Sequence, residues 1–306
     1  MPAPQLQHLT VGGAAAASGE PRRLAYWDWP CEAAEASGVV LCVHGLSRQG
    51  RDFDALARTL CQRSRVIAVD VAGRGHSDWL ADPMAYQIPT YAADMAALVA
   101  HLRAETPDVL IDWVGTSMGG LIGMALAAQP QMALRRLVLN DVGPVIQWEA
   151  LQRIGTYLGQ NPSFDSEAAA VAYLASISAG FGPHSPEQWR DLSLPLLRER
   201  DGRWWLHYDP AIAMPFKAMT ATADAAAAQQ IVQAGEAALW GLFDAIRSPT
   251  LLLRGAQSDL LTPETATLMT QRGPHARLVT FDGVGHAPTL VADDQVAAVR
   301  DFLWAS

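Results

Sequence analysis

The chain has 306 residues, of which half are apolar and 17% are charged, and its formal net charge is -9. A chain of this length can bury a large core, as one domain or as a domain with an insertion. The negative charge and the lack of any basic run argue against binding to nucleic acid or to an anionic membrane. No stretch approaches the roughly 18 apolar residues of a membrane span. The first twenty residues lack the basic start and apolar core of a secretory signal, so we expect a cytoplasmic protein with a loose N-terminal tip.

The three cysteines, Cys31, Cys42 and Cys61, are an odd number without C-x-x-C spacing. This argues against a disulfide framework and against a cysteine metal site. Cys42 lies inside an apolar run and is expected to be a small core residue. The sequence also lacks the H-E-x-x-H pattern of zinc peptidases.

Short, β-branched apolar runs predict a series of strands in the first half of the chain. After an early strand at 24–29, buried strands are predicted at 38–43, 66–69, 109–113 and 137–140. Helical patterns separate them, at 53–62, at 90–104 and from 121 onwards. This alternation predicts an α/β fold, with a mostly parallel sheet and helices on both of its faces. Such sheets carry their functional groups at the carboxyl ends of the strands.

The pattern changes between residues 145 and 245. This stretch has helical segments and loops rich in proline and serine, but no convincing buried strand. Strands and helices then alternate again, with strands at 249–255 and 277–281 and helices from 263 and at 296–304. We therefore predict one α/β domain formed by 1–144 and 246–306, with 145–245 as an insertion.

The pattern Gly-Thr-Ser-Met-Gly at 115–119 lies between a predicted strand and a predicted helix. Gly-x-Ser-x-Gly alone is a weak pattern, but strand, turn and helix together are the context of a nucleophile elbow. The tight turn exposes the Ser117 hydroxyl and leaves the Met118 N–H at the helix N-terminus, where it can face an anion.

A serine hydroxyl needs a base, and His286 is the candidate because its loop follows the last predicted strand directly. An imidazole also needs a carboxylate to orient it. We assign this role to Asp259, which follows the preceding strand and gives the chain order Ser, Asp, His. The competing candidate is Asp141, at the end of the strand after the elbow helix.

A tetrahedral intermediate needs hydrogen-bond donors for its oxyanion. The N–H of Met118 is one candidate, and the N–H of Leu46, in the loop after the 38–43 strand, is the second. We expect the His44 ring in the same loop to have a structural role, bonded to loop backbone.

These motifs together resemble the α/β-hydrolase family over nearly the whole chain. They are His44-Gly45, Gly73-Arg74-Gly75-His76-Ser77, the elbow around Ser117, Asp259, and Gly285-His286. The resemblance implies an eight-stranded sheet, a helical cap over the active site at 145–245, and no metal or organic cofactor. It also explains Gly73-Arg74-Gly75 better than a dinucleotide site does, because Asp78 stands where the third glycine would be.

Within this family, a serine at the elbow argues against epoxide hydrolases and haloalkane dehalogenases, which attack with a carboxylate. Ser117 implies acyl transfer, with a small-molecule ester or related acyl compound as substrate, and we expect a carboxylic-ester hydrolase. Carbon–carbon hydrolases, lactonases and perhydrolases use the same triad and remain open. A ligand-binding protein with slow or absent turnover is the alternative of another class. Arg48 and Arg51 could pair with a substrate carboxylate, although solvated residues before a helix are the simpler interpretation.

Overall fold

The computed structural model describes residues 3–12, 20–33, 36, 38–220 and 225–305, with the side chains of 219, 220 and 225–232 excepted. The strands are β1 (Gln5–Val11), β2 (Arg22–Trp29), β3 (Val39–Val43), β4 (Arg65–Asp70), β5 (Ile111–Thr116), β6 (Arg136–Asn140), β7 (Ser163–Phe164), β8 (Leu197–Arg200), β9 (Arg203–Leu206), β10 (Thr250–Gly255) and β11 (Arg277–Phe281). The helices are α1 (Asp54–Leu60), α2 (Ile88–Glu105), α3 (Met118–Ala127), α4 (Trp148–Tyr157), α5 (Glu167–Ile177), α6 (Pro186–Ser193), α7 (Met214–Thr220), α8 (Ala225–Ala245), α9 (Pro263–Gln271) and α10 (Asp293–Leu303).

Eight strands form one sheet in the order β1-β2-β4-β3-β5-β6-β10-β11. The six strands from β4 to β11 in this order run parallel, while β2 is antiparallel to both β1 and β4. The predicted mostly parallel, eight-stranded sheet is therefore confirmed. Its carboxyl edge brings together the loops that follow β3, β5, β6, β10 and β11.

The N-terminal tip is more ordered than predicted, because residues 5–11 form β1. This strand pairs with β2 from Gln5 opposite Asp28 to Val11 opposite Arg22. Most of its residues are exposed or half-buried. An edge strand of this kind lacks the continuous apolar run that identifies buried strands, and the sequence analysis missed it for that reason.

The two faces of the sheet bury separate cores. In β3, Val39, Leu41 and Val43 belong to one core, together with residues of α2 and α3. Val40 and Cys42 point to the other core, which includes residues of α1 and α10. This alternation follows from the pleat of a strand, whose successive side chains point to opposite faces. Helices on both faces, and Cys42 as a buried core residue, are confirmed.

Residues 145–245 enter after β6 and return to the sheet at β10. They contain α4 to α8 and also a small antiparallel sheet in the order β7-β9-β8. The segment was expected to have no convincing buried strand, and its three strands are indeed short and mostly half-buried or exposed. Strands β8 and β9 have four residues each and are joined by a turn at Asp201–Gly202, where both residues have positive φ. Such short, half-exposed strands leave no buried run in the sequence. The division of the chain into a core and a cap stays a prediction.

Among the described helices, none is both long enough and apolar enough to cross a membrane.

Candidate active site

Ser117 occupies a sharp turn between β5 and α3. Its backbone has φ 51° and ψ −114°, a conformation that L-residues rarely adopt and that is typical of functional turns. A side chain on Gly115 would collide with the Gly119 carbonyl, and one on Gly119 would collide with the Val43 carbonyl. The elbow therefore needs glycine at both positions, as the motif predicts.

His286 lies against the serine. Its Nε2 is 3.0 Å from the Oγ of Ser117. The loop that carries it follows β11 and is held at two points: the Gly285 N–H donates to the Gly180 carbonyl, and the Asn140 amide donates to the Pro288 carbonyl. The first of these bonds reaches the inserted segment and the second reaches the end of β6. The ring is thus fixed from both sides of the site.

The carboxylate that contacts His286 is Asp141. Its Oδ2 lies 2.7 Å from His286 Nδ1. The Asp141 side chain is fully buried and accepts two further hydrogen bonds, from the Gly255 N–H at 2.9 Å and from the Ser258 hydroxyl at 2.6 Å. Its backbone φ is +55°, which turns the side chain at the end of β6. These contacts satisfy the buried carboxylate and hold it against the imidazole.

The structure corrects the prediction for Asp259, which does not contact His286. Its carboxylate instead accepts two hydrogen bonds from Arg153 on α4, at 2.6 and 2.9 Å. Both side chains are about two-fifths exposed. Partial burial acts to raise the pKa of Asp259, but the hydrogen bonds and charge of Arg153 outweigh it and leave the pKa below its ordinary value.

The loop after β3 lies opposite His286 and carries Leu46. Leu46 lines the cavity, and Met118 is the first residue of α3, directly after Ser117. Their backbone N–H groups stay the predicted oxyanion donors. Arg74 braces both residues: its Nε donates to the Leu46 carbonyl at 2.8 Å, and its Nη2 lies 3.7 Å from the Met118 sulfur. The Arg74 side chain is fully buried, and the sequence analysis gave it no role.

His44 anchors the start of the same loop. Its Nε2 accepts from the Val71 N–H at 3.0 Å, and its Nδ1 lies 2.6 Å from the Gly45 carbonyl. Burial lowers the pKa of His44 to about 3. The ring is therefore neutral at physiological pH, which this pair of contacts requires. The predicted structural role of His44 is confirmed.

A cavity of about 480 Å³ lies over the serine. Its lower wall includes Leu46, Ser117 and His286, and its upper wall is formed by the inserted segment, including Tyr157 and Phe181. The volume is in the range of small-molecule sites. Within the described ranges, no three or more His, Cys, Asp or Glu side chains cluster closely enough to hold a metal ion.

The family to which the chain belongs follows from its sequence. A family profile described as "alpha/beta hydrolase fold" matches residues 38–293. The chain belongs to this family. The match includes Ser117, His286 and Asp141, and leaves out only the first 37 residues and the last 13.

Among curated proteins, this hydrolase is similar to the 3-hydroxybutyrate-oligomer hydrolase of Cupriavidus necator, with 48% identity over 92% of each chain. It is also similar to the pimeloyl-[acyl-carrier protein] methyl ester esterase of Xanthomonas campestris, with 28% identity over 87% of this chain and 95% of the relative.

Solved structures agree with the fold. A crystal structure of an alpha/beta hydrolase from Novosphingobium aromaticivorans has 35% identity and a TM-score of 0.81, with 99% of each chain covered. A putative hydrolase from Rickettsia typhi has 26% identity, a TM-score of 0.82 and the same coverage.

Proposed function

We propose that this protein hydrolyses carboxylic esters through an acyl-enzyme on Ser117. The observation that carries the proposal is the continuous line of contacts from Ser117 Oγ to His286, at 3.0 Å, and on to Asp141, at 2.7 Å. Nucleophile, base and orienting carboxylate in hydrogen-bond reach of each other are the arrangement that activates a serine. In this proposal Asp141 replaces Asp259 as the orienting acid.

The chemical steps follow from these positions. His286 Nε2 takes the proton of Ser117 as its oxygen attacks the ester carbonyl, and the N–H groups of Leu46 and Met118 bind the resulting oxyanion. His286 then gives the proton to the departing alcohol, leaving the acyl group on Ser117. Water, activated by the same imidazole, releases the acid and restores the serine. Asp141 keeps the imidazole in orientation and stabilises it when it is protonated.

The substrate class that we propose is a short oligoester of 3-hydroxybutyrate. Identity of 48% over 92% of both chains to a 3-hydroxybutyrate-oligomer hydrolase supports it. A cavity of about 480 Å³, closed from above by the inserted segment, suits an oligomer of a few units. In this proposal residues 145–245 act as the cap that the oligomer contacts.

The test compares two serines of the same cavity. Wild type, Ser117→Ala and Ser176→Ala are assayed with p-nitrophenyl butyrate and with the dimer and trimer of 3-hydroxybutyrate. Ser176 lines the same cavity, but its hydroxyl donates to the Tyr173 carbonyl at 2.7 Å. We expect Ser117→Ala to lower kcat by about 10⁴-fold or more, and Ser176→Ala to change it by less than about threefold.

A mass shift on Ser117 after fluorophosphonate treatment would identify the nucleophile directly. Labelling without turnover of any open-chain ester would show that the serine is reactive but contradict the proposed substrate class, in favour of carbon–carbon or lactone cleavage. A protein that is neither labelled nor active would support the ligand-binding alternative. Retention of more than a few per cent of the rate in Ser117→Ala would overturn the assignment of the nucleophile.

A further inference from the structure

Arg48 lies beside the nucleophile, two residues after Leu46. A methyl group added to Gly45 would contact the Ser117 side chain at 3.7 Å and Arg48 Cγ at 3.8 Å. The stem of Arg48 and the serine side chain are therefore both neighbours of Gly45. Arg48 and Ser117 line the same cavity.

The guanidinium of Arg48 is fixed before any substrate arrives. Its Nε and Nη2 each donate to Asp52 at 2.7 Å, and Nη2 also donates to the Leu192 carbonyl of the inserted segment at 2.9 Å. Its carbon Cζ stands 5.5 Å from the centre of the Phe181 ring. In the part of the chain that the structure describes, no hydrogen bond of Arg48 uses Nη1. One edge of an immobilised cation is therefore left for a ligand.

The two cavity arginines differ in their surroundings. The Arg48 side chain is only 12% exposed, whereas that of Arg153 is 41% exposed and bonded to Asp259. Water screens charge at the exposed position far more than at the buried one. The weaker screening favours Arg48 over Arg153 as the partner of a substrate carboxylate.

Esters of 3-hydroxybutyrate bring such a carboxylate to the site. In the terminal unit of an oligomer, two carbons stand between the ester oxygen and the carboxylate carbon, a span of roughly 4 Å at ordinary bond lengths. With the scissile carbonyl at Ser117, the carboxylate of the leaving hydroxy acid lies close to the reacting atoms.

We propose that Arg48 is a specificity-determining residue that binds, through its Nη1 edge, the carboxylate on the leaving-alcohol side of the ester. The enzyme then prefers esters of hydroxy acids and cleaves an oligomer at its carboxylate end, releasing terminal units. This inference rests on the proposed ester hydrolysis. Asp52 opposes it by repelling a second carboxylate, so the experiment has to measure the net effect.

The test uses two substrates that differ only in charge: 3-(butanoyloxy)butanoate and 3-(butanoyloxy)butanamide, each with a single ester bond. At neutral pH we expect wild type to prefer the carboxylate by about 10- to 100-fold in kcat/KM, the range of a hydrogen bond to a charged group. Arg48→Met is expected to abolish this preference through KM, with the amide affected by less than about threefold. Arg48→Lys keeps the charge but loses the planar, multi-donor geometry of the guanidinium, so we expect it to retain part of the preference for the carboxylate substrate.

Arg51→Met is the matched control. Arg51 pairs with Asp54 through the same two nitrogens but does not line the cavity, so we expect the carboxylate preference to stay at the wild-type value. Arg153→Met tests the other cavity arginine, and a selective loss there would assign the carboxylate to Arg153 and overturn the proposal.

Equal kcat/KM for the two substrates in wild type would also overturn the inference, even if Arg48→Met does not fold. Such a result would leave ester hydrolysis standing, since both substrates are turned over. Absence of turnover with both of these and with p-nitrophenyl butyrate would instead contradict the proposed function itself.

Discussion

Two charged side chains at the carboxyl edge of the sheet, Asp141 and Arg74, differ in burial and in partners from two arginines of the inserted segment, Arg153 and Arg203. Asp141 and Arg74 are fully buried, and several backbone or side-chain groups bond each of them. Arg153 and Arg203, on the inserted segment, are more than two-fifths exposed and pair with half-exposed or exposed aspartates. Buried groups with complete hydrogen bonding fix a geometry, whereas exposed ion pairs contribute little free energy.

This difference separates the two aspartates that follow strands of the sheet. Asp141 comes directly after β6, is buried and reaches His286. Asp259 comes four residues after the end of β10 and is bonded to Arg153. The loop after β10 still serves the site, because its Gly255 N–H and its Ser258 hydroxyl donate to Asp141. The loop after β10 therefore supplies support to the carboxylate, and the loop after β6 supplies the carboxylate itself.

Replacement of Asp141 is expected to have the largest effect, and it tests the difference between the two aspartates directly. Asp141→Asn keeps the size of the side chain but can no longer stabilise a protonated His286, so we expect kcat to fall by about 10³- to 10⁴-fold. Asp259→Asn, the matched control, should change kcat by less than about threefold. Steady-state kinetics with p-nitrophenyl butyrate measure both. The reverse pattern would return the orienting role to Asp259.

The sequence predicted the sheet, Ser117 and His286 because each leaves a local signal. Buried parallel strands appear as continuous apolar runs, and the elbow has required glycines on both sides of the serine. The strand β1 and the short strands β8 and β9 were missed because half-exposed strands lack such runs.

The orienting carboxylate could not be decided in the same way. Both candidates follow a strand and both give the chain order Ser, Asp, His. Asp259 was the favoured prediction because it follows the strand directly before the one that leads to His286. What separates them is the backbone path: a positive φ of +55° turns Asp141 into the site, and the donors that satisfy it lie more than a hundred residues away. The only sequence signal for Asp141 is that it follows the last strand residue, Asn140, without a gap, whereas three residues separate Asp259 from Gly255.

The burial of His44 at the carboxyl edge of the sheet also predicts that the protein is less stable in acid. Burial lowers the pKa of His44 from 6.5 to about 3, so the unfolded chain takes up a proton there that the folded protein does not. The contribution of His44 to the free energy of unfolding is complete above about pH 6.5 and is lost as the pH falls towards 3. One such proton lowers the free energy of unfolding by about 1.4 kcal/mol per pH unit within that window.

Urea unfolding of wild type and His44→Gln at a series of pH values measures this contribution. We expect the variant to be less stable at neutral pH but to have a shallower slope in acid, by one proton. Parallel slopes would show that His44 is not the group that titrates on unfolding.

A smaller effect is expected at Ser258, which supports Asp141 without touching the reaction. Ser258→Ala removes one donor from a buried carboxylate, and we expect kcat to fall by about 3- to 10-fold, with partial recovery in Ser258→Thr. Ser248→Ala is the control, because its hydroxyl bonds the Leu134 carbonyl and does not line the cavity. It should affect stability alone. Equal effects of the two variants on kcat would show that Asp141 is held without Ser258.

The smallest effect is expected at the exposed pair that joins the inserted segment to the loop after β10. Arg153→Met removes the two hydrogen bonds to Asp259, but both side chains remain in contact with water before and after the change. The free energy of unfolding should therefore fall by no more than about 1 kcal/mol, and by less at high salt. Denaturant unfolding at low and high ionic strength measures it. A loss above about 2 kcal/mol that salt does not reduce would mean that Arg153 is held as tightly as the buried groups of the sheet edge. The difference between the two regions would then not apply to α4, the helix that carries Arg153.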